Sequence, residues 1–255
     1  MLLTDGSPNN DESLRVYESA ILQVSDTEFI PLRAKLDLAL EEIAEDVLDV
    51  LLDHGSPSDP HAATRRMIGV SDVVVTRQMK RWHAVHTLEV FYRDAFNNQL
   101  NNRYQAKVSE YHELSVDARN KTYQFGVGLA LIPIPRARMP IFSYVAGLIP
   151  ETIYYVQVSW VSASGQAGDP SEVTTYDSPA GSLPVVTAVN PPAAATGFNV
   201  YMGLAPNTVM LQNSMTVALG GSFTLPSSGL VAGSPPGCGQ VPDVYVTGGA
   251  LLLRG

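Results

Sequence analysis

His83, His86 and Glu89 follow one another at intervals of three residues, so on a helix their side chains rise in a single column. Imidazoles beside a carboxylate are raw material for a divalent-metal site. The zinc arrangement that works on a helix has two histidines at i and i+4 with a catalytic glutamate between them. That spacing is not present, and the trio reads as structural or surface polar groups. His54 and His61 stand in a loop rich in Ser, Pro and Asp, with no cysteine partners, and read as solvated. Glu41, Glu42, Glu45, Asp46 and Asp49 crowd carboxylates into a short stretch without a glycine-centred calcium loop, and read as the wet face of a helix. Cys238, in PPGCGQ, has no identifiable base to make it a nucleophile. As the sole cysteine it closes no internal disulfide, which suits assembly in a reducing cytoplasm. A Walker loop, a nucleotide fingerprint and a Gly-x-Ser-x-Gly elbow are all missing. The expectation is a protein with no catalytic residues, no metal and no cofactor, and not an enzyme.

Composition narrows the classes further. A chain of 255 residues, 45% apolar and 16% charged, has material for one large or two ordinary hydrophobic cores, which excludes a disordered, collagenous or disulfide-stapled protein. With 25 acids against 16 bases the net charge is −9, which weighs against a main role in gripping nucleic-acid phosphates. The opening MLLTDGSPNNDE lacks the basic flank and apolar run of a signal peptide. The most apolar stretch, 127–150, is broken by Pro133, Pro135, Pro140, Arg136 and Arg138, so no membrane span is expected.

These residues belong to two kinds of chain. Beyond residue 139 the only charged side chains are Glu151, Asp169, Glu172, Asp177, Asp243 and Arg254, whereas most of the 20 glycines and 18 prolines fall there. An α region precedes a β region. In the first, Leu14, Tyr17, Ile21 and Val24, then Leu32, Leu36, Leu40, Ile43, Val47 and Leu51, recur at helical spacing. Pro31 suits the first position of the second helix, and Gly55 with Pro57 closes it. Ser71 or Asp72 can cap a long helix striped by Val75, Met79, Trp82, Val85, Leu88, Tyr92 and Ala95. NNQLNN (97–102) reads as a turn, after which Tyr104, Val108, Tyr111, Leu114, Ala118, Thr122 and Phe125 mark the antiparallel partner helix.

This order, a short helix, an acidic helix, then MKRWHAVHTLEVFYRDAF and NRYQAKVSEYHELSVDARNKTY, resembles the head-tail connector adaptors of tailed double-stranded-DNA phages and gene-transfer agents. The resemblance covers about half the chain. It implies a structural virion protein that docks on the portal ring and bridges it to the next neck or tail component. It further implies self-association into a ring of about a dozen copies, with genomic DNA only passing through the lumen. Localisation would be the virion neck, after assembly in the host cytoplasm, with no membrane partner.

In the second region LIPIPRARMPIF (131–142) reads as a linker or edge strand, because residues before proline are pushed to extended conformations. Tyr154, Val156, Val158 and Trp160 then alternate with Tyr155, Gln157 and Ser159, which makes the first set the core face of a strand. Turn residues at Ser164-Gly165 and Gly168-Asp169-Pro170 allow Val173 and Thr175 to return as a hairpin partner. The passage YYVQVSWVSASGQAGDPSEVTTY resembles the late strands of a fibronectin type III-like sandwich, with Tyr154 in the place of its corner tyrosine. LPVVTAVNPPAAATGFNVYMG resembles the early strands, with Phe198, Val200 and Tyr201 in the aromatic, β-branched one. Late strands precede early ones, so the sandwich is either circularly permuted or completed by MTVALGGSFTLPSSGL.

The sequence thus predicts an α+β protein of two domains. Residues 1–130 form a helical bundle with long antiparallel helices, and 131–149 a Pro-rich linker or edge strand. Residues 150–241 form an antiparallel fibronectin III/Ig-like sandwich with Tyr154, Val156, Val158, Trp160, Phe198 and Val200 in its core, and 242–255 a C-terminal interaction segment. Arg65, Arg66, Arg77, Lys80, Arg81, Arg93, Arg103 and Lys107 gather around the long helices, either paired along them with acids or forming a contact surface. Arg77, Lys80 and Arg81 are the candidates to face an acidic portal or neighbouring subunit. Leu251, Leu252 and Leu253 need a covering surface, from their own core or from an adjacent copy. A competing reading makes the sandwich a binder of host-surface glycan through Tyr155, Tyr176 and Tyr201, provided these cluster.

Overall fold

The structure, a computed structural model, describes residues 1–54, 68–98, 102–247 and 250–253. Helices occupy the N-terminal half and antiparallel sheets the C-terminal half. The helices are α1 (Asp11–Arg15), α2 (Ile21–Glu28), α3 (Leu32–His54), α4 (Arg77–Asn98) and α5 (Gln105–Phe125). The strands are β1 (Val127–Leu129), β2 (Ile141–Ala146), β3 (Thr152–Ser162), β4 (Thr174–Ser178), β5 (Ser182–Thr187), β6 (Ala195–Gly203), β7 (Met210–Leu211), β8 (Val217–Ala218), β9 (Phe223–Thr224), β10 (Val244–Thr247) and β11 (Ala250–Leu253). Among the described residues no helix is long and apolar enough to cross a membrane.

Two compact units share the chain in an interleaved way, one made of Met1–Asp5 with Ile132–Gln240 and the other of Gly6–Leu131 with Val241–Gly255. The expected bounds differ from this at both ends. Residues 1–5 belong to the β unit, where Leu2 and Leu3 are buried, and residues 242–255 belong to the helical unit through strand pairing. Apart from Met1–Asp5, the β unit is therefore an insertion between β1 and β10, two strands that pair antiparallel with Leu129 opposite Val244.

In the helical unit α4 packs on both α3 and α5 around Leu36, Ala84, Leu88, Phe91, Tyr92 and Tyr111. Tyr92 and Tyr111 stack with ring centroids 5.5 Å apart, and the Tyr111 hydroxyl donates to Glu18 at 3.0 Å. The stripe from Leu14 to Val24 is split between α1 and α2. Asn10 and Ser13 cap α1 reciprocally, and the chain leaves the helix after Arg15, so Val16 is 84% exposed and Tyr17 43%. The helix expected from Ser71 or Asp72 begins only at Arg77. Val73 bridges Leu129 and the Val74 N–H donates to Gly128, which keeps that segment extended until Thr76 caps α4 through the Met79 N–H. The closing signal at Gly55 and Pro57 and positions 99–101 of the NNQLNN turn lie outside the described residues, while Asn97 and Asn98 still belong to α4. At the end of α5, Gly126 holds φ at 96°, where a Cβ would stand 2.9 Å from Thr247 Cγ2.

In the β unit the sheet β2-β5-β9 and the sheet β4-β3-β6-β7, with β8 also on β6, are antiparallel throughout and share one core. Tyr154, Val156, Val158 and Trp160 are buried on one side of β3, opposite Met202, Val200 and Phe198 of β6. Trp160 meets Phe198 edge to face at 6.0 Å. The segment 131–142 is divided: Ile134 and Ala137 are core residues, and Ile141 opens β2 on the edge of its sheet.

Candidate functional site

Thr76 starts α4 so that Arg77, Lys80 and Arg81, at i, i+3 and i+4, share its exposed face while Met79 and Trp82 turn to the core. The Asn9 side-chain amide donates to the Lys80 carbonyl at 2.8 Å and to His83 Nδ1 at 3.0 Å, which pins the segment before α1 against this turn. Val16 and Tyr17 thereby stand beside the three cations. Ala118, Lys121 and Phe125, spaced along the last turns of α5, supply the opposite wall of a groove of about 630 Å³.

Among the described residues no carboxylate forms an ion pair with Arg77, Lys80 or Arg81, whereas Lys121 is paired with Asp117 at 2.7 Å. Three positive charges in the first turns of a helix also oppose its dipole, which favours anions there. Phe125, 62% exposed, and Val16 add apolar surface to the same groove. The arrangement suits an anionic surface carrying apolar side chains. Other bases behave differently. Arg93 pairs with Glu89, Arg103 with Glu28 at 3.7 Å and Lys107 with Glu18 at 2.7 Å. Arg65 and Arg66 lie outside the described residues.

The histidine column separates into two environments. His83 is buried and neutral: Nε2–H donates to the Leu36 carbonyl at 3.0 Å, Nδ1 accepts from Asn9, and burial pushes its pKa down to about 4. His86 faces carboxylates from two helices, Glu42 at 2.6 Å from Nε2 and Glu89 at 3.1 Å from Nδ1. Burial opposes its charge, but these partners prevail and raise its pKa. Glu89 is 3% exposed, and although burial pushes upward, contacts from His86, His112 and Ser115 hold its pKa at about 2. His112 Nδ1 lies 2.9 Å from Glu89, and Arg93 bonds the same oxygen. Contacts of His86 with Glu42 and Ser115, and of Glu89 with His112, join α3, α4 and α5. No group of three or more His, Cys, Asp or Glu residues able to hold a metal ion occurs among the described residues. His61 lies outside the described residues, as does the side chain of His54, and Cys238 is exposed.

The acidic helix is also divided. Glu42 is taken by His86 and Asp46 by Arg119 at 3.1 Å, while Glu41, Glu45 and Asp49 are exposed with no ion-pair partner among the described residues. In the β unit the three tyrosines do not share a surface. Tyr201 is buried, Tyr155 lies on the same side of the sheet as Tyr201, and Tyr176 pairs with the core-facing Tyr154 and stacks on Phe142 at 4.8 Å. Leu251, Leu252 and Leu253 lie on β11, with backbones opposite Val246, Tyr245 and Val244 of β10.

Sequence reasoning isolated the three cations but missed the wall that completes the groove. Tyr17 and Phe125 fall on the apolar stripes of the sequence; the early end of α1 exposes the first, and the position of Phe125 at the end of α5 exposes the second. The Asn9 clamp joins residues 71 apart in sequence and leaves no local signal. No protein-family model matches the chain, and no curated protein matches it.

Proposed function

We propose that this chain is a structural protein of a phage virion, a head-tail connector adaptor that docks on the portal ring and bridges it to the next neck or tail component. The observation that carries the reading is the groove, where Arg77, Lys80 and Arg81 have no ion-pair partner among the described residues and stand beside exposed Val16 and Phe125. Such a surface costs a free chain stability and gains counter-charges from an acidic partner. The helical order of the chain, short, acidic, then two long helices, agrees with the adaptor resemblance. Repeated modest contacts around a ring would make a durable collar, and an acidic chain suits a lumen through which DNA must slide. The work is assembly without turnover, and the site of action is the virion neck after assembly in the host cytoplasm.

The β unit, in this reading, is an appended sandwich of the fibronectin III/Ig kind in permuted order. Its two antiparallel sheets over the Trp160–Phe198 core support that assignment.

Mixing the purified chain with portal rings and recording the mass of the assembly, by native mass spectrometry or electron microscopy, tests the function. Stoichiometric addition to the ring is the expected result. A chain that leaves portal rings bare under all assembly conditions overturns the reading.

A further inference from the structure

Among the described residues of the β unit, β2 is the one long, unguarded sheet edge. β7, β8 and β9 are two residues long and β4 carries Asp177, devices that keep an edge from recruiting another strand. β2 runs from Ile141 to Ala146 in unbroken register with β5, without a charge, a proline or a bulge. Its backbone faces β5 at alternate residues. The Gly147 N–H donates to the Gly181 carbonyl at 2.8 Å, which sets 141, 143 and 145 on the β5 side. Pro184, opposite Tyr144, turns away from β2 and accepts from the Leu225 N–H at 2.9 Å. The N–H and C=O groups of Phe142, Tyr144 and Ala146 therefore point out from the edge, where no strand pairs with them among the described residues. Ile141, Tyr144 and Val145 are 57%, 61% and 46% exposed beside them.

The order of the side chains says what completes this edge. Ile141-Phe142-Ser143-Tyr144-Val145 has the same chemistry in both directions about Ser143: β-branched, aromatic, hydroxyl, aromatic, β-branched. Two antiparallel copies centred on that serine set Ile141 against Val145, Phe142 against Tyr144 and Ser143 against itself, the kinds of cross-strand pair that stabilise sheets. The backbone agrees with this register. The N–H of Phe142 meets the carbonyl of Tyr144 in the second copy, the N–H of Tyr144 meets the carbonyl of Phe142, and all of these groups face outward. A shift to the next permitted register leaves Ile141 against Gly147 and Val145 against Ser143, and a shift the other way sets Ile141 against Ser143. We propose that β2 pairs with β2 of a second copy about a two-fold axis at Ser143, so that the sheet β2-β5-β9 of each chain continues into that of the other. Such an isologous contact closes at two chains. Neighbours in a many-membered ring are related by its rotation axis and not by a two-fold, so this pairing is separate from ring formation. It uses none of the residues of the Arg77–Lys80–Arg81 groove and does not rest on the adaptor reading.

Cysteine cross-linking reads the register in the full-length chain. A Cys238→Ser background removes the exposed native thiol. In it, Ser143→Cys should form a disulfide-linked dimer under oxidised glutathione, because opposed residues of a non-hydrogen-bonded antiparallel pair lie within disulfide reach. Ile141→Cys alone and Val145→Cys alone each face the wrong residue and should cross-link at least about tenfold more slowly, whereas their equimolar mixture should match Ser143→Cys. Sedimentation of the wild-type chain should show pairing as concentration rises, and Val145→Lys, which guards the edge with a charge, should need at least about tenfold more chain to pair. Unchanged thermal melts of the variants at low concentration show that they fold. A wild-type chain that stays monomeric, a Ser143→Cys chain that cross-links no faster than Ile141→Cys alone, or a Val145→Lys chain that pairs as the wild type does each overturns the proposal. A chain that pairs through β2 yet leaves portal rings bare overturns the adaptor reading and keeps this one. One that adds to portal rings without cross-linking at position 143 does the reverse.

Discussion

Glu89 lies one turn beyond His86 on α4, and its carboxylate is 3.1 Å from His86 Nδ1 while the other imidazole nitrogen reaches Glu42 of α3 at 2.6 Å. A single imidazole is thus held between two helices by two carboxylates, and Glu89 in turn gathers His112 and Arg93. Removing one member of such a buried set leaves the others uncompensated.

Glu89→Gln should therefore cost about 3 kcal/mol near pH 6, measured as a fall in the urea midpoint at constant slope. The sign of the pH dependence is fixed by the two shifts. The raised His86 value makes its contribution complete below its ordinary 6.5 and lost as pH climbs through the folded value. The lowered Glu89 value makes its contribution complete above its ordinary 4.5 and lost as pH falls towards about 2. The cluster is at full strength from 4.5 to 6.5, so the gap between wild type and variant should be widest across that window.

His83 acts in the opposite sense on the same helix. Between its ordinary 6.5 and about 4 the unfolded chain takes up a proton that the folded one refuses, so stability falls as pH falls through that window, by about 3 kcal/mol in all. Replacing it by Gln should flatten this slope whatever its effect at neutral pH. Urea titrations of wild type and His83→Gln at several pH values read the difference, and parallel curves would rule out His83 as the source.

In the β unit, Phe198 is 1% exposed and packs edge to face on Trp160. Phe198→Ala should cost about 4 kcal/mol, whereas Phe198→Leu, which keeps most of the volume, should cost about half as much or less. Thermal melts of the two variants give the ranking, and equal costs would mean that the site collapses around the missing ring.

Gly128 of β1 has no room for a side chain. An added Cβ would stand 2.6 Å from Pro242 Cγ and 3.1 Å from Thr76 Cγ2. Gly128→Ala should cost about 1–3 kcal/mol, and Pro242→Gly in the same chain should recover part of it. A double variant no more stable than the sum of the two single losses would show that the clash is relieved elsewhere.

Periodicity was the most legible signal in this sequence. Tyr154, Val156, Val158 and Trp160 announce a strand with one buried face by simple alternation, and the long stripes of α4 and α5 announce two helices by their length. What remained hidden depends on contacts distant in sequence. The late start of α4 follows from the bridge of Val73 to Leu129, and the pinning of the groove from Asn9 against Lys80. Residues 242–255 read as an interaction segment because their pairing partner, β1, is three residues long and lies more than a hundred positions earlier. Arg77, Lys80 and Arg81 could be read as a shared helical face, but that they have no ion-pair partner among the described residues is visible only in three dimensions.

The placement of the β unit between β1 and β10 bears on how such a chain could be altered. Its entry and exit leave from adjacent strands, where the Asp243 N–H donates to the Leu129 carbonyl at 2.8 Å and the Asp243 carboxylate accepts from the Leu131 N–H at 2.9 Å. That junction has the form of a hairpin whose turn has been expanded into a domain. Excising the whole insert and closing the gap with a two-residue Asn-Gly turn would keep every strand pair of the host sheet. Lengthening or exchanging the insert thus leaves the pairing of the host sheet intact, whereas removing it uncovers Leu2 and Leu3 of the Met1–Asp5 segment.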